Sequence, residues 1–311
     1  MPTATPAKGA AAPASMTQSM LIYLTAKARR KTSTAGFNKI EILSLQLANR
    51  LSRARAKMSD KLFGFYERKT LSEPANAVAR ILKDAYLNRL FSDELDAIRK
   101  AITINNPTKI IEIGAAGGIT KVVWPEVETT DVRVSPGVDY EMSAEAISAP
   151  DDSVDVIFGM DALHHARSPR KHFVELNRVL KPGGNAIYIE PNWNFFSRLC
   201  FKILLKYLHP EPYDTRQREW EINNDDPMMG NQAQAFNIFV RDIKKFESEF
   251  PSLKVEILQP LKGLSFLLSG GVHTRLPIPS AFLLPIYKFE ESTKAWIWRF
   301  GLGRVIRLTK I

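Results

Sequence analysis

Between Lys109 and Pro191 the chain changes its hydrophobic period again and again. Short apolar runs of strand length, KIIEI (109–113), VETTDV (127–132), SVDVIFGM (153–160) and NAIYIEP (185–191), are separated by glycine turns and helical segments. Runs this short and this continuous suit strands buried on both faces, and strands joined by helical crossovers pair in parallel. The pattern predicts an α/β fold with a doubly wound, mostly parallel sheet. Two later runs, KVEILQP (254–260) and GRVIRLTKI (303–311), supply further strands, and SPRKHFVELNRVLKPGG (168–184) reads as a helix with Ser168 and Pro169 at its start and a Pro-Gly-Gly stop.

Upstream, SEPANAVARILKDAYLNRL (72–90) and SDELDAIRKAI (92–102) read as two helices, the second opened by Ser92 as N-cap, and AFNIFVRDIKKFESEF (235–250) as a later one. A chain of 311 residues with 45% hydrophobic content can bury a full core. The basic balance is local: ten of the 43 lysines and arginines but one of the 33 acids precede residue 59, so the net charge of +10 sits almost wholly there. The division expected is a basic N-terminal arm, 1–58, with an amphipathic helix in NKIEILSLQLANRLSRARAKM (38–58), and a domain, 59–311, with insertions at about 192–234 and 261–303. Such an arm suits an anionic surface, a membrane among them.

No apolar run approaches the ~18 residues of a membrane span. The lone Cys200 excludes an intrachain disulfide and, with five histidines at no ligand spacing to it, gives no metal site. A reducing, cytoplasmic setting follows, with the arm read as a partly disordered low-complexity tail, a targeting segment or a peripheral membrane contact.

The first strand runs into Gly114, Gly117 and Gly118. A dinucleotide fingerprint needs glycines at 114, 116 and 119, and the chain has Ala116 and Ile119; no Gly-Lys-Ser/Thr ending marks a phosphate loop either. The stretch instead resembles the first motif of class I S-adenosylmethionine-dependent methyltransferases, acidic-x-Gly-x-Gly-x-Gly, here Glu112, Gly114, Ala116 and Gly118. Later blocks fall in that family's order: Asp131 after the second strand, PDDSVDVIFGMDALHH (150–165), and HFVELNRVLKPGGNAIYIEP (172–191). The resemblance covers about Thr108 to Pro191 and is strongest to ubiquinone-pathway and sugar-modifying enzymes.

The resemblance implies a Rossmann-like, seven-stranded sheet with an antiparallel last strand behind a helical N-terminal extension, and S-adenosyl-L-methionine as cofactor. It implies Asp131 for the ribose hydroxyls, Glu112 for the glycine turn and the methionine amino end, and Gly114, Ala115 and Gly118 as the turn itself. Relatives place an aspartate for the adenine amino group where this chain has Ser143; Glu145 is a substitute, and Ala144, Ile147 and Met160 are apolar neighbours for the ring.

Methyl transfer needs alignment and at most one general base. Asp161, His164 and His165, just after the fourth strand, are the titratable groups best placed for that role, with Glu190 and Asn192 near the same edge. The aromatic stretch from Trp193 suits a lid, an acceptor wall or a membrane contact. The activity implied is methylation, at oxygen, of a small-molecule, saccharide or lipid-linked acceptor. A catalytically weak scaffold and a nucleic-acid methyltransferase are the alternatives. Against the latter, Met160 to Leu163 stand where base-modifying relatives carry an Asn-Pro-Pro-Tyr-type tetrapeptide. The sequence assigns no oligomeric state.

Overall fold

The computed structural model describes residues 74–204, 211–223, 226, 229–272 and 278–311; the basic arm and its amphipathic helix lie outside these. Two helices come first, α1 (Pro74–Lys83) and α2 (Ala85–Ala101). They divide at Asp84, whose carboxylate accepts from the amides of Tyr86 (3.0 Å) and Leu87 (3.1 Å). Ser92 is therefore not an N-cap. It lies inside α2, and its hydroxyl donates back to the Asn88 carbonyl at 2.8 Å, because the apolar stripe of Leu87, Leu90, Ile98 and Ala101 continues through it. Glu94 occupies that same buried stripe.

The strands are β1 (Ile110–Ile113), β2 (Glu128–Asp131), β3 (Tyr140–Glu141), β4 (Val154–Met160), β5 (Leu180–Pro191), β6 (Leu253–Leu261) and β7 (Gly303–Lys310). They form one seven-stranded sheet in the order β3-β2-β1-β4-β5-β7-β6. The first five are parallel, and β7 inserts antiparallel between β5 and β6. The doubly wound α/β expectation is met, antiparallel last strand included.

Alternation along the strands explains the two covered faces. Ile111, Ile113, Ile157, Ala186, Tyr188, Ile306 and Leu308 join one apolar cluster, with Phe173, Leu176 and Phe246. Their neighbours Ile110, Val156, Phe158, Ile187, Ile189 and Val305 join another, with Leu95 and Ile98 of α2. Side chains of a strand point alternately to opposite faces, so a strand apolar at every position must be covered twice.

Helices α3 (Ile119–Val123) and α4 (Pro169–Val179) follow β1 and β4. The Pro-Gly-Gly segment lies just past the end of α4, inside β5: pairing jumps from Val154–Leu180 to Val156–Asn185, and Lys181 to Gly184 bulge out between. Beyond β5 come α5 (Phe195–Leu199), which continues as a π turn, α6 (Gln234–Phe236), which continues as a π stretch to Arg241, and α7 (Ile243–Glu249). The single helix expected over 235–250 is broken at Asp242, whose carboxylate is drawn to the Trp220 indole N–H (2.9 Å) and Arg241 (2.6 Å). The segment between β6 and β7 carries α8 (Leu264–Ser269), α9 (Ser280–Ser292) and α10 (Lys294–Phe300). Leu283 and Tyr287 of α9 pack with Ile81, Tyr86, Leu87 and Leu90, which ties this insertion to the N-terminal helices.

Candidate active site

The carboxyl ends of β1, β2, β4 and β5 gather most of the residues singled out in the sequence. After β1 the turn adopts left-handed backbone at Gly114 (φ 67°), Ala116 (φ 49°) and Gly118 (φ 72°). The two glycines answer to the protein's own packing. A Cβ on Gly114 would lie 2.8 Å from the Ala162 Cβ, and one on Gly118 would lie 2.0 Å from the Gly137 carbonyl oxygen. Ala116 holds this conformation with a side chain present, which costs about 1 kcal/mol.

Asp131 holds the turn in that shape. Its Oδ2 accepts from the Ala116 amide (2.9 Å) and its Oδ1 from the Arg133 amide (2.9 Å), while the Ala115 amide donates to the Thr130 carbonyl (2.9 Å). Each carboxylate oxygen retains a second lone pair for a further donor. Glu112 is buried beside it. Its Oε1 accepts from the Thr120 hydroxyl at 2.9 Å, and its Oε2 has no partner among the described residues. Burial pushes this carboxyl up to about 8, against the Thr120 hydrogen bond and with a further upward push from Asp131.

One strand over, after β3, the Ser143 hydroxyl accepts from the Glu145 amide at 3.2 Å. Glu145 accepts from the Ser168 amide at 2.8 Å, so it anchors the start of α4. The Ala144 carbonyl accepts from His172 Nδ1 (2.8 Å), which fixes the tautomer so that His172 Nε2 accepts from the Tyr188 hydroxyl (2.5 Å). Ile147 is buried, and Met160 is half-buried against the α2 side of the sheet.

After β4 the chain turns on Asp161, another left-handed position at φ 51°, with its side chain 48% exposed. Its carboxylate pairs with the ammonium of Lys262, which follows β6, is buried, and is itself left-handed at φ 56°. Lys262 Nζ also stands 3.4 Å from Glu94 Oε1 and 5.4 Å from the Phe266 ring centroid. Burial pushes Glu94 up to about 7 against the pull of Lys262. Burial acts on Asp161 in the same sense, but Lys262 and His164 outweigh it and keep the carboxyl below its ordinary value.

His164 lies in a 3-10 turn, Leu163–His165, and is 4% exposed. Its Nδ1 donates to Glu190 Oε2 at 2.7 Å, and its Nε2 stands 3.5 Å from Glu211 Oε2. Glu190, fully buried at the end of β5, also accepts from the amides of Ala162 (3.1 Å) and Leu163 (2.7 Å). Burial alone would depress His164, but the two glutamates overcome it and raise the imidazole to about 10. His165 stacks on it, ring centroids 4.2 Å apart, and goes the other way: burial first and then the His164 charge bring it down to about 4. Asn192 turns inward, donating to the Gly301 carbonyl at 2.8 Å.

Sequence reasoning missed Glu94, Lys262 and Glu211. Glu94 had a signal, a carboxylate at an apolar position of an amphipathic stripe. Lys262 and Glu211 had none, because each reaches the site from an insertion whose path no local pattern fixes.

Residues 121–188 match the family described as a methyltransferase domain. Among solved structures the chain is similar to the YcgJ protein of Bacillus subtilis, with 18% identity over 70% of this chain and 98% of that one at a TM-score of 0.43. It is also similar to a SAM-dependent methyltransferase of Archaeoglobus fulgidus, with 13% identity over 71% and 94% at 0.42. A third is the phosphoethanolamine N-methyltransferase 2 of Haemonchus contortus in complex with S-adenosyl-L-methionine, with 12% identity over 71% and 52% at 0.36. No curated protein matches the chain. The strand order, with β7 antiparallel between β5 and β6, is that of a Rossmann-like methyltransferase fold, and the segment from α3 to β5 matches the methyltransferase-domain family.

Proposed function

We propose that the protein is a class I S-adenosylmethionine-dependent methyltransferase that acts on an oxygen of a small-molecule, saccharide or lipid-linked acceptor, with S-adenosyl-L-methionine, its cofactor, at the Glu112–Asp131 turn and the acceptor beside Asp161. The residues of the turn fit the cofactor. The orphaned Glu112 Oε2 suits its ammonium, directly or through water, and the free lone pairs of Asp131 suit its ribose hydroxyls. Gly114, Ala115 and Gly118 form the turn beneath, and Ser143, Ala144 and Met160 are the proposed adenine side. When bound, the cofactor supplies a methyl group on a cationic sulfur, and displacement there depends mainly on alignment of the acceptor.

The observation that carries the acceptor assignment is Asp161. It is the half-exposed carboxylate at the tip of β4, kept ionised by a buried lysine. Such a group accepts a hydrogen bond from an acceptor hydroxyl and holds one oxygen lone pair toward the methyl. Lys262 and Glu94 fix its direction from behind. His164 is held as a cation between two glutamates and so orients the loop rather than accepting a proton, and His165, stacked on it, is a neutral ring. Isothermal titration with S-adenosylmethionine, then turnover with saccharide, lipid-linked and phenolic acceptors, tests the reading. Asp161→Asn is expected to lower kcat at least tenfold with cofactor affinity unchanged; equal kcat removes Asp161 from the acceptor site.

A membrane-borne acceptor is favoured by α5 and the turn after it. Phe195 is 83% exposed, Ile203 54% and Leu199 44%, at i, i+4 and i+8 of one helical face, and the exposed Lys202 lies alongside. From Trp193 to His209 the chain carries Arg198, Lys202 and Lys206 and no acid. Apolar side chains flanked by basic ones suit the interface of an anionic bilayer. No described helix is long and apolar enough to cross one. Co-sedimentation with phosphatidylserine vesicles, expected to fall on replacing Phe195, Leu199 and Ile203 by serine, tests the contact; undiminished sedimentation refutes it.

A further inference from the structure

We infer that His164, His165 and Glu211 form a binding site for one divalent transition-metal cation. Each offers one ligand atom, and the three atoms lie within 4.8 Å of one another. Two imidazoles and a carboxylate are a donor set for Zn²⁺, Mn²⁺ or Fe²⁺, leaving coordination positions open for water or an acceptor oxygen.

Three observations separate this cluster from a chance meeting of polar side chains. First, His164 is supported from behind in the manner of a metal-ligating histidine. Its Nδ1–H donates to the buried Glu190 at 2.7 Å, which leaves Nε2 as the outward nitrogen. Second, the facing gap is wide for a hydrogen bond and close to what an ion needs. His164 Nε2 and Glu211 Oε2 are 3.5 Å apart, and two ligands about 2.05 Å from a tetrahedral zinc stand roughly 3.3 Å apart. Third, His165 Nδ1 is buried with no hydrogen-bond partner among the described residues, an orphaned acceptor or donor at the cluster.

Glu211 is brought to the histidines by a built device. The Asn231 amide donates to the His164 carbonyl at 3.0 Å, and a Cβ on Gly230 would fall 2.1 Å from that same oxygen, so the returning segment seats directly on the histidine turn. Gln232 then joins that segment to Glu211, through its own amide to the Pro212 carbonyl (2.9 Å) and its side-chain N–H to Glu211 Oε2 (3.3 Å). The charges around His165 and His164 are Glu190, Glu211 and Asp161 on the acidic side and Arg133 on the basic side, with Lys262 paired to Asp161 and Glu94. Carboxylates outnumber the basic groups there, which favours a bound cation. A sequence reading that looked for cysteine spacing had no means of seeing this site, because Glu211 is 46 residues from His165.

The inference is independent of the acceptor assigned above and is tested without cofactor or acceptor. Untagged full-length protein, treated with chelator and dialysed, is titrated with Zn²⁺ and Mn²⁺ by calorimetry and with Co²⁺ by visible absorption. One equivalent is expected to bind, with the ligand-field bands of a four- or five-coordinate cobalt site and a rise in Tm on zinc addition. Glu211→Gln and His165→Gln should each weaken binding at least tenfold, while the surface control Asp96→Asn binds as wild type. Glu211→Gln should melt cooperatively without metal, below wild type because it loses a carboxylate facing His164, and gain no Tm with zinc where wild type does, which separates a lost ligand from a lost fold. Absence of binding by wild type, or equal binding by wild type and both variants, overturns the inference. Cofactor titration of the same samples reports separately on the methyltransferase site.

Discussion

Asp131→Asn separates two tasks that one carboxylate performs. In the folded protein its oxygens accept from two backbone amides, Ala116 and Arg133, at 2.9 Å each, in a side chain only 7% exposed. A hydrogen bond to a charged group contributes roughly 1.5–3 kcal/mol, and a buried donor left without a partner costs about 1–3. Asparagine keeps one acceptor oxygen and turns an N–H₂ toward the second amide. The expected loss of stability is about 2–4 kcal/mol, or roughly 4–12 °C in Tm for a domain of this size. Cofactor affinity should fall separately, because an amide cannot accept both ribose hydroxyls; the loss of one charged hydrogen bond predicts roughly 10- to 150-fold. Differential scanning fluorimetry reads the first effect and calorimetric titration with S-adenosylmethionine the second. Unchanged Tm would refute the role of Asp131 in holding the glycine turn, and unchanged affinity in a protein that melts lower would remove it from the cofactor site.

The other predictions concern strain, charge burial and pH. Ala116→Gly should raise Tm by roughly 1–2 °C, because relief of about 1 kcal/mol of left-handed strain exceeds the roughly 0.5 kcal/mol of entropy that glycine adds to the unfolded chain; a lower Tm contradicts it. Lys262→Met should destabilise by about 3 kcal/mol, since it strands Glu94 in the interior, and Glu94→Gln added to it should restore most of that in urea unfolding. The buried Asp155 is lowered to about 2, burial being outweighed by Lys181 and by the Lys109 and Thr108 amides. A depressed carboxyl stabilises above its ordinary range and loses that contribution as pH falls from about 4 through about 2. The advantage of wild type over Asp155→Asn should therefore be about 2 kcal/mol at pH 7 and shrink on acidification across that window, read by urea unfolding at each pH; a constant difference refutes it.

The sheet was legible because each of its long strands carries its own signal. IIEI and VDVIFGM are apolar at nearly every position, and that pattern is stable only where both faces are covered. Strand β3 carried no such signal: it is two exposed residues, Tyr140 and Glu141, held by pairing to Thr130 and Asp131 rather than by burial. The boundary at Ser92 was misplaced for a related reason. Two residue types could cap the helix, and the choice fell to Asp84, whose carboxylate also accepts from the Ser280 hydroxyl at 2.8 Å across 196 residues of chain. A cap fixed by a distant element cannot be read from its neighbours.

The site divides along the same line. The glycine turn, Asp131, Asp161 and the histidine pair belong to segments whose place at the sheet edge follows from strand order, so the sequence could nominate them. Their protonation could not be read, because it depends on partners delivered by the insertions. His164 and His165 are adjacent and chemically identical, yet one is raised to about 10 and its neighbour lowered to about 4. The difference arises from Glu190 at the end of β5 and Glu211 within the first insertion, both of which face His164. Asp161 is ionised by Lys262 in the second insertion, and Lys262 is fixed in turn by Glu94 on a helix that precedes the sheet. Two segments far from it in sequence thus set the charge of one half-exposed carboxylate. The sheet places the reactive edge, and the insertions decide which of its groups carry a proton there.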